Sequence, residues 1–252
     1  MTFDVAATSY DRFMGRYSVL LSAQMADLAG VRAGQRVLDV GCGPGALTAE
    51  LVTRVGAANV AAIDPSKPFV EAVKARQPGV DVRLAPAEEL PFDDDAFDAA
   101  LAQLVVHFMS DPVRGIGEMA RVVRPGGVVA ACVWDHAGGK GPLALFWDVA
   151  RSLDREVADE SHLPGVREGH LAQLFAEAGL RDVESTVLSA DLEHAGFDAW
   201  WEPFEGGVGP AGAYVAGLAP DARKVLRERC RAALPVGPFT VVARAWAARG
   251  EA

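Results

Sequence analysis

The chain has 252 residues, half of them hydrophobic, enough to bury one substantial α/β core with an insertion, or two small domains, without metal or disulfide support. Its net charge is −10, with 24 Lys and Arg against 34 Asp and Glu, which argues against RNA or DNA as a partner. No apolar run approaches the ~20 residues needed to span a bilayer. The first residues lack a charged and then apolar run, so no secretory signal is expected. The three cysteines, Cys42, Cys132 and Cys230, are scattered and lack metal-ligand spacing, so reduced thiols in a cytoplasmic protein are expected.

In chain order, an aromatic- and arginine-rich segment comes first, Ser9-Tyr10-Asp11-Arg12-Phe13-Met14-Gly15-Arg16-Tyr17. From residue 35 onward, strands and helices alternate as in βαβ units around a parallel sheet. Strands are predicted at Arg36–Val40, Val60–Ile63, Val82–Leu84, Phe97–Ala102 and Val128–Val133, and helices at Ala46–Val55, Pro68–Arg76 and Val113–Val123. Arg124-Pro125-Gly126-Gly127 stops the last of these helices. After Trp134 the rhythm breaks. An irregular stretch 135–164 carries an amphipathic piece at Leu143–Leu153, followed by a helix at Gly169–Ala178 and a strand near Val183–Ser189. A second irregular stretch is expected from Ala190 to Pro238, and a last strand at Phe239–Ala247.

The motif richest in chemistry is Asp39-Val40-Gly41-Cys42-Gly43-Pro44-Gly45, at the end of the first strand. Glycines let the turn approach a ligand closely, and the helix beginning at Ala46 aims backbone N–H groups back into it. Gly41-x-Gly43-x-x-Ala46 also satisfies the dinucleotide pattern, a weak match when taken alone. A carboxylate at Asp39 would repel a pyrophosphate and attract an ammonium. Asp64 ends the second strand, where an acid can accept both hydroxyls of a ribose, and where it equally suits a helix cap ahead of Pro65.

Four further segments keep company with the glycine motif. They are Ala62-Ile63-Asp64-Pro65-Ser66, Ala87-Glu88-Glu89-Leu90-Pro91-Phe92, Phe97-Asp98, and Glu118-Met119-Ala120-Arg121-Val122-Val123-Arg124-Pro125-Gly126-Gly127. In this order the set resembles the small-molecule branch of class I S-adenosylmethionine-dependent methyltransferases, the ubiquinone and menaquinone C-methyltransferase type. The resemblance covers roughly residues 35–133. It implies an α/β fold: a Rossmann-like, seven-stranded, mostly parallel sheet with helices on both faces and a lid built from C-terminal insertions. It also implies three regions: 1–34 as a helical segment covering the cofactor, 35–134 as the cofactor-binding core, and 135–252 as a lid that also completes the sheet.

Residue roles follow from the same resemblance. Asp39, Gly41, Cys42 and Gly43 would hold the methionyl end, Asp64 the ribose, and Pro65 one face of the adenine. Ala87 and Glu88 would meet the adenine edge, although Pro86 stands where the family usually has an acid. Ala102 and Gln103 would touch the methionyl amino group. Tyr10 would stack near the sulfonium and Arg16 would pair with the methionyl carboxylate, unless the segment only covers a sheet edge. His107 is the candidate general base, against the plainer reading of a packed histidine beside Val105, Val106 and Phe108.

Four of the five tryptophans, with Phe146, Phe197 and Phe204, lie in or beside the two irregular stretches. They suit either an apolar acceptor pocket or the lid's own core. His136, His162, His170 and His194 lack spacing such as H-x-x-x-H, so no metal site is expected. The expectation is a cytoplasmic methyltransferase of a small apolar or aromatic acceptor, with the acceptor atom open among oxygen, nitrogen and carbon. The alternatives are an NAD(P)-dependent oxidoreductase, for which no Tyr-x-x-x-Lys pair occurs, and a cofactor-binding protein without catalysis.

Overall fold

A computed structural model describes residues 7–252; the first six residues of the expected N-terminal region lie outside the described residues. Seven strands form one sheet: β1 (Val37–Val40), β2 (Val60–Asp64), β3 (Asp81–Leu84), β4 (Phe97–Gln103), β5 (Val123–Trp134), β6 (Arg181–His194) and β7 (Phe239–Glu251). Their order is β3-β2-β1-β4-β5-β7-β6. The strands β1 to β5 pair in parallel, whereas β7 runs antiparallel to both β5 and β6. All residues of β1 and β2 are buried, as a strand covered on both faces requires.

The helices sort by face. One face carries α2 (Arg16–Leu28), α3 (Ala46–Val55) and α4 (Lys67–Arg76), preceded by the short α1 (Ala7–Tyr10) and a π-helical turn at Asp11–Gly15. Leu21 and Met25 of α2 and Leu47 and Leu51 of α3 pack on Val37, Ala99 and Leu101, while Val70 and Val73 of α4 meet Ala62. The other face carries α5 (Pro112–Val122) and, after the intervening α6 (Ala144–Leu153), α7 (His170–Glu177). There Ile116, Met119, Leu174 and Phe175 pack on the alternate strand positions Leu38, Ile63, Ala100 and Val129. Chain order reverses between β1 and β4, so the loops after these strands diverge and leave a crevice at the carboxyl edge of the sheet.

The seven-stranded, mostly parallel sheet agrees with the expected fold class, and the early elements lie within a few residues of their expected bounds. Three expectations need correction. Residues 124–127 do not merely separate helix from strand: β5 begins at Val123 opposite Phe97, and its register then shifts so that Val128 faces Ala99. The stretch 190–238 is not irregular. Strand β6 continues to His194, and α8 (Phe197–Trp201), a 3₁₀ segment at Glu202–Gly206, α9 (Gly209–Gly217) and α10 (Pro220–Ala233) follow. Strand β7 also runs past Ala247 to Glu251. These helices, α6 and the π-turn share a separate apolar core around Phe13, Phe146, Trp147, Trp201 and Phe204.

Candidate active site

The glycine hairpin after β1 is held open by contacts on three sides. Gly41 adopts φ +69°, and a β-carbon there would come within 2.5 Å of Val105 Cγ2 in the loop after β4. Gly45 adopts φ +99° directly ahead of α3, a left-handed geometry that favours glycine. The Cys42 N–H donates to Ile63 O at 2.9 Å, tying the hairpin to β2. Arg76 of α4 donates to Pro44 O at 3.0 Å and pairs with Asp11 at 2.6 Å, so one guanidinium clasps both the hairpin and the N-terminal segment.

Two acids stand behind this hairpin. Asp39 is 1% exposed and its Oδ2 accepts the Thr48 hydroxyl at 2.6 Å. Burial pushes its pKa up to about 7; the Thr48 bond opposes the shift and the charge of Asp64 adds to it. Asp64 accepts Gly43 N–H at 2.9 Å on one oxygen and Ser66 N–H at 2.8 Å on the other. Burial raises its pKa to about 6 against those two bonds. The cap position of α4 is Ser66, so Asp64 is not that helix's cap; it ties the hairpin to the end of β2.

A cavity of about 230 Å³ lies between these loops. Tyr10, Gly41, Gly43, Asp64, Pro65, Ala87, Glu88 and Gln103 of the sequence-derived set line it, with Phe69, Leu104, Val105, Phe108 and Met109 as further apolar wall. Asp39 and Cys42 line a smaller depression that shares Tyr10, Gly41, Gly43 and Gln103 with it. Tyr10 meets Phe69 edge-on at 5.4 Å between ring centres. One Glu88 oxygen accepts Ser110 N–H at 2.7 Å and the Ser110 hydroxyl at 2.8 Å. Burial works against its ionisation, yet these bonds leave the carboxyl below its ordinary pKa.

Gln103 ends β4 and donates through Nε2 to Ser18 O at 3.0 Å, while its buried Oε1 has no hydrogen-bond partner among the described residues. Beyond it, Leu104 takes φ +63°, a strained geometry for a branched side chain. That turn swings Val105 against Gly41 and Leu104 into the cavity wall. Two residues of the sequence-derived set are placed elsewhere. Ala102 is fully buried within β4, paired with Ala131, and is not part of the wall. Arg16 donates to Glu193 O at 3.3 Å and lines a separate depression with His194 and Trp200.

His107 opens onto a second, smaller chamber. Tyr10, Leu104 and Phe108 are shared with the first cavity, and Phe13, Trp134, His136, Leu143, Glu160 and Ala211 are among its other walls. Ligand atoms of His107, His136 and Glu160 all lie within 4.8 Å of one another. His136 Nε2 stands 3.8 Å from Glu160 Oε1, and the Trp147 indole N–H donates to Glu160 Oε2 at 3.0 Å. Burial pushes His107 well below the usual imidazole range, with His136 adding to the shift, and lowers His136 to about 4 against the pull of Asp159. Burial raises Glu160 to about 7, the Trp147 bond opposing. Between about pH 4 and 7 the His136–Glu160 approach is therefore a contact of two uncharged groups rather than an ion pair. Sequence spacing did not reveal His136 or Glu160, because the three residues come from three loops.

Residues 38–131 match the family described as "Methyltransferase domain". An uncharacterized methyltransferase of Mycobacterium tuberculosis is 43% identical over 103 residues, 41% of this chain and 41% of that protein. A demethylmenaquinone methyltransferase of Clavibacter sepedonicus is 35% identical over 141 residues, 52% of this chain and 55% of that protein. The chain thus spans about half the length of these curated relatives. Among solved structures, the YcgJ protein from Bacillus subtilis superposes with a TM-score of 0.59 at 20% identity, covering 91% of this chain and 97% of that one. The sheet order, the glycine hairpin and the family match agree: residues 38–131 are similar to a methyltransferase domain, set on the fold that the chain shares with YcgJ.

Proposed function

We propose that the protein transfers a methyl group from S-adenosylmethionine to a small apolar or aromatic acceptor. The observation that carries this reading is the composition of the cavity wall. Asp64 and Glu88, the unpartnered Gln103 Oε1 and, beside it, Asp39 face a space with no Lys or Arg among the described lining residues. A dinucleotide's pyrophosphate would find no cationic partner there, whereas a ligand bearing an ammonium and ribose hydroxyls finds acceptors for each. Gly41 and Gly43 leave room for the ligand's close approach to the backbone.

When bound, S-adenosylmethionine supplies a methyl on a positively charged sulfur with a neutral leaving group. The chain's part is to bind, align and exclude water. Asp39 and Gln103 Oε1 hold the ammonium, Asp64 the ribose, and Glu88 with Ala87 the adenine edge. Pro65 and Phe69 enclose the ring. Tyr10 stands at the junction of the two chambers, where the methyl must pass. His107 meets the reacting group of the acceptor in the second chamber. An apolar acceptor suits the walls of that chamber, Phe13, Trp134 and Leu143, and one relative is named for demethylmenaquinone. We place the protein in the cytoplasm, a reading supported by three free, buried thiols. No helix among the described residues is long and apolar enough to cross a membrane.

Isothermal calorimetry tests the reading. S-adenosylhomocysteine should give a saturable isotherm and NADH none; tight NADH binding with no response to S-adenosylhomocysteine would overturn it.

The two raised carboxyl pKa values set a pH dependence. Both are higher in the folded chain than in the unfolded one. Their contribution to stability is therefore complete below about pH 4 and is lost as the pH rises through about 6 for Asp64 and about 7 for Asp39. Ligand binding runs the other way, because an ammonium selects ionised Asp39. S-adenosylhomocysteine affinity should climb by up to roughly tenfold per pH unit from pH 5 to 7 and level off above. Calorimetry in buffers of different ionisation enthalpy should show proton release at pH 6. A flat affinity across this range would remove Asp39 from the ammonium site.

A further inference from the structure

We propose that His107, His136 and Glu160 form a binding site for a divalent transition metal, zinc foremost, with an open coordination position facing the second chamber. The three residues converge from separate segments: the 3₁₀ turn Val106–Phe108 after β4, the loop after β5, and the 3₁₀ turn Glu160–His162. Their ligand atoms lie within 4.8 Å of one another, with His136 Nε2 3.8 Å from Glu160 Oε1. Metal bonds of roughly 2.0–2.2 Å in a tetrahedral shell place neighbouring ligand atoms about 3.3–3.5 Å apart, so modest side-chain rotations complete the shell.

Two further observations point to a ligand. His107 Nδ1 and His136 Nε2 are buried nitrogens with no hydrogen-bond partner among the described residues, and the two side chains are all but sealed from solvent. Such atoms cost free energy unless something satisfies them. Trp147, itself packed in the lid core, donates to Glu160 Oε2 and so turns Oε1 toward His136. An outer hydrogen bond that fixes a carboxylate is the support a ligating oxygen needs. Two imidazoles and one carboxylate are the donor set of open zinc sites and of 2-His-1-carboxylate iron sites. The chamber wall is otherwise mostly apolar, with Phe13, Leu104, Trp134 and Leu143, so the polar cluster stands where an acceptor's heteroatom would be read.

The role of the metal rests on the methyltransferase reading, although its binding does not. An acceptor hydroxyl or thiol takes the open position and loses its proton to water. The retained lone pair forms the bond to the methyl carbon while the carbon–sulfur pair passes to sulfur, cancelling the sulfonium charge. The methylated product is neutral, a weaker ligand, and leaves. His107 then acts through the metal and not as a free base.

The test uses the full chain, stripped with chelator, dialysed, and titrated with zinc and separately with cobalt(II). Wild type should bind about one equivalent, and the cobalt form should show the visible absorption of a low-coordinate N/O site. His136→Ala and the near-isosteric Glu160→Gln should each weaken zinc binding by more than about 10-fold, the scale that loss of a mere outer-shell partner already sets. Circular dichroism and a thermal melt confirm that each variant is folded, and Glu160→Gln keeps an acceptor for Trp147 should His136→Ala fail to fold. No stoichiometric zinc, cobalt, manganese or iron(II) in wild type overturns the proposal. So does equal affinity in a folded variant, which would place the ion elsewhere. S-adenosylhomocysteine calorimetry on the same samples separates the two readings. Metal binding without cofactor binding leaves the site standing and removes the methyltransferase role; cofactor binding without metal removes only the site.

Discussion

Trp201→Ala should cost about 3–5 kcal/mol of folding stability while the folded fraction keeps its affinity for S-adenosylhomocysteine. Trp201 is 1% exposed. It stacks on Phe197 at 5.9 Å and lies 5.8 Å from Phe204, which in turn stacks on Phe146 at 4.6 Å. Its indole N–H donates to Glu205 at 2.9 Å. Neither Trp200 nor Trp201 lines the first or the second chamber; Trp200 borders the separate depression near Arg16. Of the two uses open to these rings in the sequence, acceptor pocket or lid core, the packing supports the second. A loss of that size consumes much of a typical domain's margin of about 5–15 kcal/mol. Thermal melts and cofactor titrations on the same samples decide the matter. An unchanged melt with lost turnover would return Trp201 to the acceptor.

The part of the molecule that sequence makes legible is the part whose chemistry is local. The glycines at 41, 43 and 45, the acid at each strand end and the alternation from 36 to 134 are short-range signals, and β1 to β4 with α3 to α5 lie within a residue or so of their expected bounds. Strand β6 extends past its expected bounds, and most of its residues are exposed, which erases the apolar alternation by which a strand is seen in sequence. Helix α9 hid behind its composition: Gly209, Pro210, Gly212 and Gly217 are poor helix formers, and the segment is held by Ala211 and Val215 in the lid core. Helix α10 buries only Leu226 and Cys230 beneath a charged surface, too narrow a stripe to stand out. The Arg76 clasp and the joining of His107 to His136 and Glu160 are products of tertiary packing, and no spacing rule within one segment encodes them.

Asp64→Ala should weaken S-adenosylhomocysteine binding by about 1–3 kcal/mol, the loss of charge-assisted bonds to hydroxyls, and should lower the melting temperature of the ligand-free protein as well. The second effect follows from the bonds already present. The carboxylate accepts Gly43 N–H at 2.9 Å and Ser66 N–H at 2.8 Å, and Asp64 is only 6% exposed. Truncation leaves both donors without an acceptor, at about 1–3 kcal/mol for each that water does not reach. It also frees the hairpin from the end of β2, so part of the lost affinity will be lost preorganisation. Asp64→Asn separates the contributions. The amide oxygen can still accept one of the two backbone N–H groups, whereas the NH₂ group faces the other donor and any ribose hydroxyl, and the charge is gone. The asparagine variant should therefore recover part of the melting temperature, through the one backbone bond it keeps, and little of the affinity. Wild-type affinity in Asp64→Asn would mean that the carboxylate serves the hairpin alone and that the ribose is held by other groups.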